Sequence, residues 1–133
     1  MKKTEHTDMN LAPYFKSIID ADRAPVVVCD LSHTILYMNE AAVERYKKAG
    51  GKRLVGKSLL SCHTEEAQEK ILSVLRAFEA HPEHRMVYEF RNDEENKDVY
   101  LVALRDDEGR LIGYYEKHEY RDRESAGLYE FAD

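Results

Sequence analysis

The stretch VVVCDLSHTILYMNEAA, residues 26–42, decides the fold. Two runs of β-branched and apolar residues, VVVCD and TILYMN, flank Leu31-Ser32-His33, a pattern that predicts a tight β-hairpin. Asp30 is placed to accept hydrogen bonds from the turn N–H groups. His33 stands where such a turn often wants Gly, and His tolerates positive φ better than most residues. Asn39 ends the second run and makes a good N-cap. The following EAAVERYKK then predicts a short helix with Ala42, Val43 and Tyr46 inward, stopped by Gly50-Gly51.

Upstream, Leu11, Tyr14, Phe15, Ile18 and Ile19 recur at helical spacing, and Pro13 suits a first turn. They predict a helix from about Asn10 to Ala21 with one apolar stripe, preceded by a polar, fraying segment over residues 1–9. Downstream, LVGKSLLSCH predicts an irregular link with one helical turn. Thr64 then caps a helix whose Ala67, Ile71, Val74, Leu75 and Phe78 fall at i, i+4, i+7, i+8 and i+11, closed by His81-Pro82. MVYEF, DVYLVALR and LIGYYEKHEY predict three strands. NDEENK joins the first two as a solvated hairpin, and DDEGR joins the second to the third, with Gly109 as the left-handed turn residue. The order α-ββ-ααα-βββ implies an α+β fold, an antiparallel sheet with helices on one face.

The chain has 133 residues, enough for one domain with its own core. Apolar residues make up 43% and charged residues 35%, which excludes a wholly disordered chain. No apolar run reaches the length of a membrane span or reads as a signal peptide. Two cysteines make no disulfide framework, so a reducing cytoplasm is expected. The net charge of −6 argues against nucleic acid or an anionic membrane as partner, since both need clustered Lys and Arg.

Three local sequences in this order resemble the PAS domain family. The hairpin and its Asn-opened helix match the family's first two strands. Leu54-Val55-Gly56-Lys57 matches its "hydrophobic-x-Gly-Lys/Arg" link, and RDDEGRLIGYY matches its last hairpin. The similarity runs from about Ile18 to Tyr120, and CHTEEAQEKI is similar to small stand-alone bacterial members. It implies a five-stranded antiparallel sheet in the order 2-1-5-4-3, helices enclosing a small-molecule cavity, and a sensory, dimeric and non-enzymatic role. It divides the chain into an N-terminal tail and helix (1–22), a PAS domain (23–120) and a C-terminal tail (121–133). With no effector expected in a chain this short, output would pass through a homodimer or a signalling partner.

The same resemblance sets expectations for the cavity. Val27 and Cys29 would face it from the first strand, and Leu59 from the link before the long helix. Leu101, Ala103, Leu111, Gly113 and Tyr115 would face it from the last two, opposite Ile71, Leu75 and Phe78. Such a wall suits a small, mostly apolar ligand, with a filled core as an equal alternative. Cys29 would be an inert buried thiol before a redox-sensitive one. Flavin is not favoured, because Leu59 holds the place of the adduct-forming cysteine, Cys62 lies three residues on, and Tyr115 replaces the ring-reading glutamine. Haem is disfavoured because the long helix carries no His. His63 is the one metal or haem candidate, should its ring turn into the pocket, and is otherwise a helix-entry residue. Zinc shared by Cys62, His63, His81 and His84 is excluded by the roughly 25 Å length of the helix between them. Two other readings stand beside the sensor. One is a small α+β cavity enzyme using His63 or Asp30. The other is a dimerisation domain built on the N-terminal stripe.

Overall fold

The computed structural model describes residues 9–131; residues 1–8 of the segment expected to fray, and the last two of the tail, lie outside them. Helix α1 (Ala12–Ala21) begins two residues later than expected, because the Asn10 side chain accepts the Ala12 N–H at 3.0 Å. Strands β1 (Val26–Asp30) and β2 (Ile35–Met38) form the expected hairpin. Asp30 Oδ1 accepts the N–H groups of Ser32 and Thr34, and His33 sits at φ 68°. Helix α2 (Glu40–Arg45) follows, then single 3-10 turns at Lys47–Ala49, Gly51–Leu54 and Leu59–Cys62. Thr64 caps α3 (Glu65–Ala80) by accepting the Ala67 N–H, and the helix buries Ile71, Leu75 and Phe78. Its far end is held by Arg105, whose Nη2 donates to the Phe78 carbonyl at 2.8 Å and reaches those of His81 and His84. No helix among the described residues is long and apolar enough to cross a membrane.

Strands β3 (Met86–Asn92), β4 (Lys97–Arg105) and β5 (Leu111–Tyr120) complete one antiparallel sheet in the order β2-β1-β5-β4-β3. Two irregularities re-aim side chains. Leu104 pairs with Gly113 but Arg105 with Leu111, so Ile112 is an extra residue. Leu111 and Tyr114 therefore both face the core although three residues apart, and the inward set continues with Glu116 and His118. The expectation for Tyr115 is corrected by this bulge: it stands with Val28 and Val102 on the other face. In β3, Tyr88 pairs with Tyr100 and Phe90 with Val99, leaving Glu89 as the extra residue. Gly113 marks a close approach. A Cβ there would lie 2.3 Å from the Cys29 carbonyl oxygen, so any side chain would push β5 off β1.

Asn39 does more than cap α2. It is fully buried, and its Oδ1 accepts the N–H groups of both Ala42 and Val26 at 2.9 Å. Its Nδ2 donates to the carbonyls of Ile19 and Ala24 at 3.0 Å. One side chain thus joins the end of α1, the start of β1 and the start of α2. Replacing it by Ala strands buried backbone groups on each segment. Asn39→Ala should lower the unfolding free energy by about 3 kcal/mol in a urea titration followed by circular dichroism.

Candidate functional site

The inward face of the sheet is divided along the strands. At the end nearer the β1–β2 turn it is filled. Cys29, Leu101 and Tyr114 pack with Ile71, Leu75 and Phe78 in one cluster, and Ala103 lies against it. Cys29, Ile71, Leu75, Leu101 and Gly113 are therefore core or close-approach positions outside the cavity described below, and Ala103 faces a separate polar recess with Arg85 and Arg105. Tyr114 is anchored by a 2.8 Å hydrogen bond to His33 Nδ1. Burial pushes the Cys29 thiol up to about 12, with some offset from Tyr114, so almost none is thiolate at neutral pH.

Beside this cluster, and partly lined by its members Val27 and Leu59, lies a cavity of about 610 Å³. Of the residues expected to line it, Val27, Leu59 and His63 do so, joined by Tyr46, Cys62, Ala67, Glu89, Phe90 and Glu116. The lining is apolar at Val27, Leu59 and Phe90, and its buried polar members are the carboxylates of Glu89 and Glu116. A mostly apolar wall was expected; the two bulges replace it with carboxylates, since they turn Glu89 and Glu116 inward.

Glu116 is buried, and accepts from Tyr46 OH at 3.4 Å, with His118 Nε2 at 3.3 Å. Glu89 Oε1 is buried without any protein donor. The charged group nearest in effect is the carboxylate of Glu116. Burial, and then the charge of Glu116, pushes Glu89 up to about 8. Glu116 goes the other way. Burial opposes its ionisation, but His118, His63 and Tyr46 outweigh burial and hold it below the usual carboxylate range. The pair thus carries one proton and one negative charge at neutral pH. Arg45 is turned aside to Glu95 at 2.7 Å, and Glu95 also takes the buried Lys97 at 2.9 Å, which closes the β3–β4 hairpin against α2.

His63 Nδ1 lies 2.8 Å from the Leu59 carbonyl, an acceptor only, so this nitrogen donates. Gln68 pins the same segment by donating to the Leu60 and His63 carbonyls. His63 is thus a helix-entry residue whose ring also lines the cavity. His81 and His84 lie beyond the other end of α3, with Glu83, and share nothing with His63. Asp30, the other catalytic candidate, is occupied by its turn.

A family model described as PAS fold matches residues 19–117. No curated protein sequence matches the chain. Among solved structures, the C-terminal domain of a Streptococcus mutans protein is 19% identical with a TM-score of 0.61, over 80% of this chain and 81% of that one. The PAS domain of BvgS from Bordetella pertussis is 14% identical with a TM-score of 0.60, over 90% and 89%. The PAS domain of a Colwellia psychrerythraea protein is 16% identical with a TM-score of 0.59, over 84% and 97%. At these identities the likeness is one of fold.

Two measurements follow from this geometry. Glu89 is raised in the folded chain, so its contribution to stability is full below about pH 4.5 and is lost as pH rises through about 8. Glu89→Gln removes that loss. Its unfolding free energy relative to wild type should therefore improve by about 2 kcal/mol between pH 6 and pH 8.5, read from urea midpoints. Equal pH dependence in the two proteins would refute the proton on Glu89. The second concerns the thiols: in native protein a maleimide should label exposed Cys62 completely before Cys29 reacts.

Proposed function

The chain belongs to the PAS fold family, and on that footing we propose that it is a sensory module that takes a small ligand and signals through a homodimer. The observation that carries this reading is the cavity of about 610 Å³, reached from the exposed Cys62 and ending on the buried Glu116. A space of that size, with an apolar wall and a few polar groups at one end, fits a small organic molecule. Ala67, on the first turn of α3, stands at its mouth.

The dimer is supported by α1. None of its residues is buried, and Leu11, Tyr14, Phe15 and Ile18 leave an apolar stripe open to solvent. A second copy presenting the same stripe would cover it by two-fold symmetry. The two free cysteines agree with a reducing, cytoplasmic setting, and a signalling partner would read the dimer. Catalysis is the weaker reading, since it would rest on His63 alone.

Native mass spectrometry of freshly purified protein tests both parts. The expected spectrum is a dimer of 15.5 kDa chains carrying a small-molecule adduct. Ala67→Phe should lose the adduct and keep the dimer, and Phe15→Glu should give monomers that keep the adduct. A Phe15→Glu protein that stays dimeric overturns the α1 interface. An adduct indifferent to Ala67→Phe overturns the cavity as its site.

A further inference from the structure

We infer that the cavity selects a small primary amine with an apolar body, its ammonium group donating to the buried carboxylates of Glu89 and Glu116. The inference rests on the cavity being a ligand site and names what that site recognises.

The argument starts from what the buried polar lining lacks. Two carboxylates stand there, one of them with a buried oxygen that no protein donor reaches. Of the cations nearby, Arg45 and Lys97 both bond to Glu95, and Lys70 of α3 lines the cavity from an exposed position, away from the buried carboxylates. Tyr46 supplies one hydroxyl, already directed at Glu116. A site rich in acceptors and short of donors is complementary to a group that only donates. A primary ammonium carries three donors and no acceptor. It would also supply the positive charge that lets both carboxylates ionise in a buried place. Val27, Leu59 and Phe90 then give the apolar body its contact.

A metal ion is the competing cation, and the geometry disfavours it. Among the described residues, the His and carboxylate group whose ligand atoms all fall within 4.8 Å of one another is His81, Glu83 and His84, on the far side of α3. Glu89, Glu116 and His63 do not gather so closely.

Proton balance follows from that contact. The ammonium enters with its own protons, and the proton held by Glu89 leaves to solvent. Binding therefore releases one proton, and affinity rises with pH up to about 8, where Glu89 ionises unaided. The groups facing the pair are Tyr46 beyond α2, Arg45 on α2, His63 ahead of α3 and His118 on β5, with Glu66 and Lys70 of α3 at the mouth.

Isothermal titration calorimetry with three probes of one shape tests this: cyclohexylamine, cyclohexanol and cyclohexanecarboxylate. The expected result is that cyclohexylamine binds at least tenfold more tightly than either. Its affinity should rise about tenfold or more from pH 6.5 to 8.5, with one proton released in buffers of differing ionisation enthalpy. Ala67→Phe should abolish binding, Glu116→Gln should weaken it at least tenfold, and Glu89→Gln should flatten the pH dependence. Should Glu116→Gln not fold, Glu89→Gln carries the test. Cyclohexanol or the carboxylate binding as tightly, with loss in Ala67→Phe, would overturn the amine and leave the cavity as a ligand site. Amine binding unchanged by Ala67→Phe would overturn its placement. No binding by any probe would overturn both readings.

Discussion

The structure depends on the side chain of Asn39. A hairpin edge, a helix start and a helix end converge on it, each with backbone groups that the segment itself cannot satisfy. The convergence matters most for α1, which buries none of its residues. It is held at its C-terminal end by polar bonds instead: Asn39 donates to the Ile19 carbonyl, and Tyr37 donates to Asp20. A helix tied this way keeps its apolar face free, whereas one docked by burial would have spent it. Asp would keep the two accepted bonds but lose the three donated ones, and Ala would lose all five. Only Asn supplies acceptor and donor together from so short a stem.

The two halves of the sheet's inner face follow different rules. Where Cys29, Leu101 and Tyr114 meet α3, close packing does the work, each buried side chain contributing about 1.5–3 kcal/mol. Where Glu89 and Glu116 stand, packing is given up and charge is desolvated. Burying carboxylates lowers stability unless partners repay it, and here His118 and Tyr46 repay it for one member only. The other is kept neutral. A fold under selection for stability alone would place aliphatic side chains at both positions. Such local conflict between burial and charge is a mark of sites with a task beyond folding.

Local chemistry made most of this architecture legible in the sequence. Asp30 and His33 in the turn, Asn39 and Thr64 as caps, and the five-residue stripe of α3 each depend on neighbours within a few positions, and each stands where their pattern put it. The strand order came with the family resemblance. The cavity was less legible, because facing in a strand is counted by twos and a single extra residue inverts the count. Ile112 shifts β5, so Tyr114 rather than Tyr115 enters the core and Glu116 follows it. Glu89 is itself the extra residue of β3. No turn residue or glycine flags that bulge in MVYEF. The available signal was chemical: Glu89, Glu116 and His118 interrupt otherwise apolar strand runs. Read as solvent-facing they are ordinary, and only the pairing of distant strands turns them in. The alternatives of a filled core and a cavity both hold, one in each half.

The position of α2 connects these features. The helix has six residues, and its ends are fixed by different parts of the fold. At the start it hangs on Asn39, and through Asn39 on α1. Just past its end, Tyr46 donates to Glu116 on the cavity floor, and Arg45 crosses to Glu95 on the β3–β4 hairpin. An element about 9 Å long is too short to bend and absorb a displacement at one end. On the proposed reading, a ligand that changes the charge shared by Glu89 and Glu116 alters what Tyr46 bonds to. A short route from there to the exposed stripe of α1 is this one helix and the hydrogen bond from Asn39 to the Ile19 carbonyl. Coupling by that route requires only that Tyr46 hold Glu116 differently in the two states of the cavity, which is a local electrostatic change with a rigid lever attached.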